Sequence, residues 1–292
     1  MSKINSCGPI ATDKKAGVQP GNFRDKPDCS ASDSIGPDVV ETGDFAPART
    51  SHLVPIGNFF FKYRNNISPL VFCALALIAR PLIIAGNRRL DMYLDIIGIL
   101  IALAGQLLRI CVIGFAYIKR GGKQKKVYAA TLVQEGFFAH CRNPLYLGNV
   151  LMLIGLIVIH NGVLMYAVCL PFFLLLYWSI TVAEENYLRE KFGQVYNGYT
   201  KRVPRFLISF KGLGRTLEGM QYDWKKVIRK EYGTTFTLVT TVMVLLVWER
   251  ITADGFKATS HYLNLMLILW TPVVFAYLTA FVAKKTGILG RG

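Results

Sequence analysis

The stretch that decides the fold is PLYLGNVLMLIGLIVIHNGVLMYAVCLPFFLLLYWSI, residues 144–180. It is apolar throughout and close to twice the roughly 20 residues that a helix needs to cross a bilayer. Its one polar break is His160-Asn161-Gly162, a turn signal. The run therefore reads as two helices in a tight hairpin. It does not alternate with period two, which excludes barrel strands.

Other apolar runs extend the pattern. Residues 68–86 form one, interrupted by Arg80-Pro81, and residues 94–118 form another, with Gln106 and Arg109 inside it. A fifth span begins at residues 236–248 and a sixth covers 262–283. The expected fold is all-α: a polytopic transmembrane helical bundle of about six spans, with no Rossmann domain. Composition agrees, since 52% of the chain is hydrophobic and only 18% is charged, against roughly 25% charged in soluble domains. The net charge of +16 is unevenly spread. The first 52 residues carry six basic and seven acidic side chains, and the excess of Lys and Arg lies beyond them. A basic chain built around long apolar runs suits an anionic lipid surface, and nucleic acid is not an expected partner. The six cysteines show no C-x-x-C and no ligand spacing, so neither a disulfide scaffold nor a metal site is expected.

Basic residues crowd the segments 119–141 and 184–234 and the end of the chain, where Lys284, Lys285 and Arg291 lie. With six spans these segments share one side, which the positive-inside rule places in the cytoplasm. Arg88 and Arg89 on the opposite side are the exception. The expected organisation has five parts. Residues 1–60, rich in Gly, Pro, Ser, Asp and Lys, form a disordered cytoplasmic tail. Residues 61–118 hold two spans, and 119–210 form a core around the hairpin 144–183. Residues 211–234 form a cytoplasmic linker, and 235–292 hold two further spans.

Two segments meet at the open end of the hairpin. The first is Gly136-Phe-Phe-Ala-His-Cys-Arg-Asn-Pro-Leu-Tyr-Leu-Gly148. Asn143 before Pro144 is a helix-start signature. The free N–H groups of that start, with Arg142 beside them, make an anion receptor at the membrane surface; the alternative is an ordinary capped helix next to a lipid-facing Arg. The second segment is Glu184-Glu185. Glu185 has Arg189 at i+4, a stabilising spacing, whereas Glu184 has only Leu188 there. The turn at 160–162 returns Glu184 to the level of Asn143. A helix-start anion site facing a carboxylate suits a zwitterionic ligand bearing a carboxylate and an amine. Beyond it, Phe192, Tyr196 and Tyr199 line one face of an interfacial helix that Pro204 ends. Arg80 and Arg109 read either as functional intramembrane charges or as snorkelling side chains.

Arg142-Asn143-Pro144-Leu145-Tyr146-Leu147-Gly148, followed by Glu184-Glu185, Phe192-Gly193, Tyr196, Tyr199 and Val203-Pro204, resembles the integral-membrane isoprenylcysteine carboxyl methyltransferases and phospholipid N-methyltransferases. The resemblance covers roughly residues 120–210. It implies a membrane-embedded enzyme with a pocket for S-adenosylmethionine that faces the cytoplasm, and an amphiphilic lipid or lipidated acceptor reached from the bilayer. It implies cofactor contacts at Gly136, Phe137, Phe138, Ala139, Arg142, Asn143, Tyr146, Glu184 and Glu185, with Arg142, Asn143 and Glu184 as the catalytic set. Two positions depart from the pattern. Asn143 stands where the families carry His and does not titrate; His140 is either its substitute or a solvated loop residue. Ile180 and Thr181 stand where the prenylcysteine enzymes carry an Arg, which argues against a free prenylcysteine carboxylate as acceptor. The same motifs also partly resemble those of the NADPH-dependent membrane sterol reductases, though the Glu184-Glu185 pair and the short chain favour the methyltransferases. A non-catalytic membrane protein retaining the fold is the third reading.

Overall fold

The computed structural model describes residues 52–82, 87–115, 131–218 and 220–290. The expectation of disorder for the tail falls, for residues 1–51, outside the described residues. Among the described residues there is no strand. The helices are α1 (Leu53–Ile78), α2 (Arg88–Phe115), α3 (Pro144–His160), α4 (Leu170–Arg202), α5 (Leu213–Glu218), α6 (Trp224–Asp254) and α7 (Phe256–Lys285). A 3-10 turn, Gly136–Ala139, precedes α3, and a π-helical turn, Met165–Cys169, leads into α4. Four helical runs are long and apolar enough to cross a membrane: α2, the run Met165–Arg202 that contains α4, α6 and α7. The fold is an all-α membrane bundle. α3 is a shorter apolar helix of 17 residues.

The largest difference from the sequence reading is α1. It begins at Leu53, inside the stretch read as tail, and stops at Ile78. Arg80 and Pro81 therefore follow the helix instead of interrupting a span. Proline disfavours the helical conformation in the residue before it, and the chain is already extended at Ala79, with ψ 132°. The first half of α1 carries Asn58, Lys62, Arg64, Asn65 and Asn66, so hydropathy conceals it. Packing secures it instead. Gly57 lies so close to α4 that a Cβ there would collide with the Ser179 carbonyl and meet the Ala183 Cβ at 2.7 Å.

The hairpin forms as its sequence dictates. α3 ends at Asn161 in the left-handed conformation (φ 48°, ψ 30°), which Asn tolerates better than most residues. The turn is tied to the end of α1: the Asn161 amide donates to the Leu82 carbonyl at 2.8 Å, and His160 Nε2 donates to the Ala76 carbonyl at 2.9 Å. α4 then runs through Glu185 to Arg202 and bends at Gly193 (φ 49°, ψ −124°). The expected interfacial helix is thus the outer part of α4. Its tyrosines do not face lipid. Tyr196 and Tyr199 are buried with Leu188 and Val203, and Leu132 packs on them. The Tyr199 hydroxyl donates to the Phe138 carbonyl at 2.7 Å.

α2 and α3 touch backbone to backbone. A Cβ on Gly105 would lie 2.6 Å from the Gly148 carbonyl, and one on Gly98 would lie 2.7 Å from the Gly155 carbonyl. Small residues at such a crossing let membrane helices gain van der Waals contact along their backbones. α6 begins at Trp224, well before the expected start, because the Asp223 carboxylate caps it by accepting the Lys226 N–H at 2.9 Å. It packs on α2 and α3, and α7 packs on α6. Arg64 on α1 reaches Tyr146 at the start of α3, Arg109 late in α2 reaches Glu231 early in α6, and Arg229 reaches the carbonyl of Leu289 beyond α7. Arg109 also reaches Asn149 on α3, so the end of α2, the starts of α3 and α6 and the end of α7 lie at one end of the bundle.

Replacing Gly155 with Val should lower the unfolding free energy in detergent by about 1–3 kcal/mol or more, the usual cost of overpacking. Gly198 has open space around its Cβ position. Gly198→Ala should be neutral or stabilising by up to about 1 kcal/mol. Denaturant-induced unfolding followed by circular dichroism checks both; equal stability of the Gly155 variant and the parent would contradict the close-packed α2–α3 crossing.

Candidate functional site

α3 starts as expected at Pro144, and the Asn143 carbonyl accepts the Leu147 N–H at 3.1 Å. The expected side-chain cap is absent. The Asn143 amide turns away from the helix and donates to the Arg205 carbonyl at 3.3 Å and to Glu185 Oε1 at 3.5 Å. The chain leaving α4 runs alongside: the N–H groups of Arg142 and Asn143 donate to the carbonyls of Pro204 and Arg205 at 2.9 and 3.2 Å. The first N–H groups of α3 thus receive no acceptor from Asn143.

Glu185 organises this corner. It is buried, and its carboxylate receives a two-pronged Arg205 guanidinium, with Nε–Oε1 3.1 Å and Nη2–Oε2 2.7 Å. Arg142 Nη1 approaches Oε1 at 3.1 Å. The i+4 partner proposed from spacing, Arg189, is exposed; the long-range guanidiniums pair with Glu185 instead. Forked charge-assisted bonds of this kind fix geometry as well as adding energy. One residue earlier, and about 100° around the helix, Glu184 faces a cavity.

That cavity has a volume of about 380 Å³, within the roughly 300–1,000 Å³ of small-molecule sites. Of the sequence-derived candidates, Phe138, Arg142, Asn143, Tyr146 and Glu184 line it together. Glu185 lies behind the wall. Gly136 serves the turn: its φ is 61°, and a Cβ there would lie 3.0 Å from Met220 Cε. Phe137 packs into an apolar cluster with Val112, and Ala139 is exposed.

Three walls come from residues the sequence reading did not join to the site. Arg64 on α1 lies 4.4 Å over the Phe61 ring and donates to the Tyr146 hydroxyl at 3.0 Å. Arg109 forks onto Glu231 at 3.0 and 2.6 Å and donates to Asn149 Oδ1 at 2.6 Å. It neither snorkels nor stands alone. Gln106 Nε2 adds bonds to Thr235 Oγ1 at 2.8 Å and to Glu231 Oε2 at 3.3 Å. Gly148 makes room for this network, since a Cβ there would lie 2.6 Å from Arg109 Cγ. No local pattern announces these pairs. Arg64, Glu231 and Arg205 stand outside the two motifs and meet their partners only through tertiary packing.

His140 is neither solvated nor in the cavity. It is buried, its Nδ1–H donates to the Ser209 carbonyl at 2.7 Å, and Nε2 lies 2.9 Å from Thr216 Oγ1. It fastens the segment after α4 and does not replace the motif His. Next to it Cys141 is buried against the Arg205 and Phe206 carbonyls, and burial pushes its thiol up to about 11.

Arg64, Arg109, Arg142 and Arg205 against Glu184, Glu185 and Glu231 leave one net positive charge around the cavity. Arg142 Nε is buried with no hydrogen-bond partner among the described residues. The cavity thus offers a cation with a spare donor beside the start of α3 on one side, and the Glu184 carboxylate on another. A ligand carrying an anion and a cation fits this donor set.

The phospholipid methyltransferase family profile matches residues 94–195. The match confirms the resemblance read from the two motifs and begins earlier, within α2. It takes in Arg109, the hairpin and the Glu pair, and it stops before Arg205, α6 and α7. No curated protein and no solved structure matches the chain.

Glu185→Ala should destabilise the protein by about 3–5 kcal/mol, because it leaves two guanidiniums facing each other without their counter-charge. Glu185→Gln keeps part of the hydrogen bonding and should cost less. Thermal unfolding in detergent orders the variants; an alanine variant as stable as the parent would show that the three-element junction does not depend on this carboxylate.

Proposed function

We propose that the protein transfers a methyl group from S-adenosylmethionine to an amphiphilic lipid acceptor at the membrane surface. The observation that carries this reading is the presence of Arg142 and Glu184, of opposite charge, in one cavity within the stretch that matches the phospholipid methyltransferases. The cofactor supplies an activated methyl group on a positively charged sulfur. The residues of this chain do the rest. Arg142 Nε and the uncapped start of α3 hold a carboxylate. Glu184 holds an ammonium or sugar hydroxyls. Phe138 and Tyr146 flank the ligand with aromatic faces. The basic residues that follow Glu184 and those at the end of α7 support a cofactor side facing the cytoplasm.

Asn143 positions groups and does not carry a proton. Its amide is engaged by Glu185 and the Arg205 carbonyl and has no titratable atom. The chain therefore contributes mainly alignment and exclusion of water. A carboxylate acceptor needs no base. An amine acceptor must lose its proton to a group other than Asn143. The functional unit is wider than the core read from the motifs, because α1, α2 and α6 supply Arg64, Arg109 and Thr234 to the same cavity.

Calorimetric titration tests the reading. The purified protein should bind S-adenosylhomocysteine and give no heat with NADPH. Glu184→Gln should weaken the binding about 10- to 100-fold, the equivalent of a charge-assisted bond of roughly 1.5–3 kcal/mol. Unchanged affinity in that variant would remove Glu184 from the cofactor site.

A further inference from the structure

A second cavity continues from the first. It has a volume of about 590 Å³ and shares Arg64, Asn65, Asn149 and Thr234 with it. Beyond those residues its lining is mainly apolar, with Phe72 on α1, Leu153 and Phe173 on the hairpin and Leu238 on α6, interspersed with Ser68, Thr237 and Thr241. α1 packs on α4, whereas α6 packs on α2, α3 and α7. The cavity runs between α1 and α6, where the apolar parts of both helices lie. Its polar end is the end that adjoins the first cavity, which Tyr146 and Glu184 line.

Arg64 stands at the junction. Its neighbours in charge each have a carboxylate partner: Arg109 pairs with Glu231, and Arg142 and Arg205 share Glu185. Among the described residues, no carboxylate pairs with Arg64. Its contacts are the Tyr146 hydroxyl and the faces of Phe61 and Tyr146. A guanidinium in a low-dielectric wall is costly unless an anion reaches it. The sequence offers no cation near Ile180 for an acceptor carboxylate; α1 supplies one from the other side of the cavity.

We propose that Arg64 anchors the anionic group of the methyl acceptor, while the acceptor's apolar chain lies in the cavity between α1 and α6. The word acceptor rests on the methyl-transfer reading; the lipid site itself does not. Phosphate and carboxylate share the required chemistry, a compact anion able to take two guanidinium N–H bonds at once. A neutral head group does not meet it. The apolar continuation asks for a long hydrocarbon chain, which reaches the cavity sideways from the bilayer.

The test uses the full chain in neutral-lipid nanodiscs and three fluorescent probes with the same hydrocarbon chain: a lysophosphatidic acid, a fatty acid and a monoacylglycerol. At least one anion should bind about tenfold or more tightly than the monoacylglycerol, and whichever anion prevails identifies the source of the charge. Arg64→Gln should abolish that preference. Gly233 borders the apolar cavity with open space at its Cβ position, so Gly233→Phe should weaken all three probes and leave the cofactor product untouched. Should Arg64→Gln fail to fold, Arg64→Lys decides: it should reduce anion binding several-fold without affecting the monoacylglycerol. Equal binding of neutral and anionic probes by the parent overturns the proposal. So does an unchanged preference in the Arg64 variant. Anion preference in a parent protein that binds no S-adenosylhomocysteine would overturn the methyl-transfer reading and leave the lipid site standing.

Discussion

One buried carboxylate holds the site together. Glu185 projects from the middle of α4 into a corner where Arg142, just before α3, and Arg205, just after α4, both require a counter-charge. Because it satisfies both, the start of α3, the side of α4 and the chain beyond α4 are fixed at one point. Arg142 then has an edge to spare for the cavity. Glu184, the adjacent residue, points into that cavity because successive helical residues diverge by about 100°. The paired glutamates thus differ in role: one holds the corner together and the other faces the cavity. Exchanging their roles would bury an unneutralised charge, which a membrane protein cannot sustain cheaply.

A second constraint brings in the parts of the chain outside the family match. Gly98, Gly105, Gly148 and Gly155 let α2 and α3 meet along their backbones. Arg109 is thereby carried over Gly148 to the fork on Glu231, which draws α6 against α2. α1 closes the remaining side through Gly57 on α4 and Arg64 on Tyr146. The cavity walls are consequently drawn from five helices, two of which, α1 and α6, lie outside the matched region and also line the neighbouring cavity.

Much of this was legible in the sequence. The 37-residue apolar run with its His160-Asn161-Gly162 break fixed the hairpin, and the hairpin alone brings Glu184 back to Arg142. Local chemistry sufficed there, since an Asn in the left-handed conformation is an ordinary helix stop. The polar half of α1 was hidden, because a helix that lines a cavity need not be apolar all round. Arg64 is separated from Tyr146 by 82 residues and Arg109 from Glu231 by 122. No periodicity links such pairs, and only packing pairs them. Glu185 shows the same limit in another form: the i+4 spacing to Arg189 was a sound local partner, yet burial selected two distant arginines. His140 was equally opaque, since its engagement of Ser209 and Thr216 depends on how the chain folds back after Pro204.

The central claim is that one continuous space receives the methyl donor from the polar side and a lipid from the bilayer side. The most direct measurement is to incubate the purified protein with methyl-labelled S-adenosylmethionine and a total membrane lipid extract, then separate the products by mass. The account predicts that label appears in a lipid carrying an anionic group. Label confined to water-soluble products, or no transfer by a protein that still binds S-adenosylhomocysteine, would contradict it.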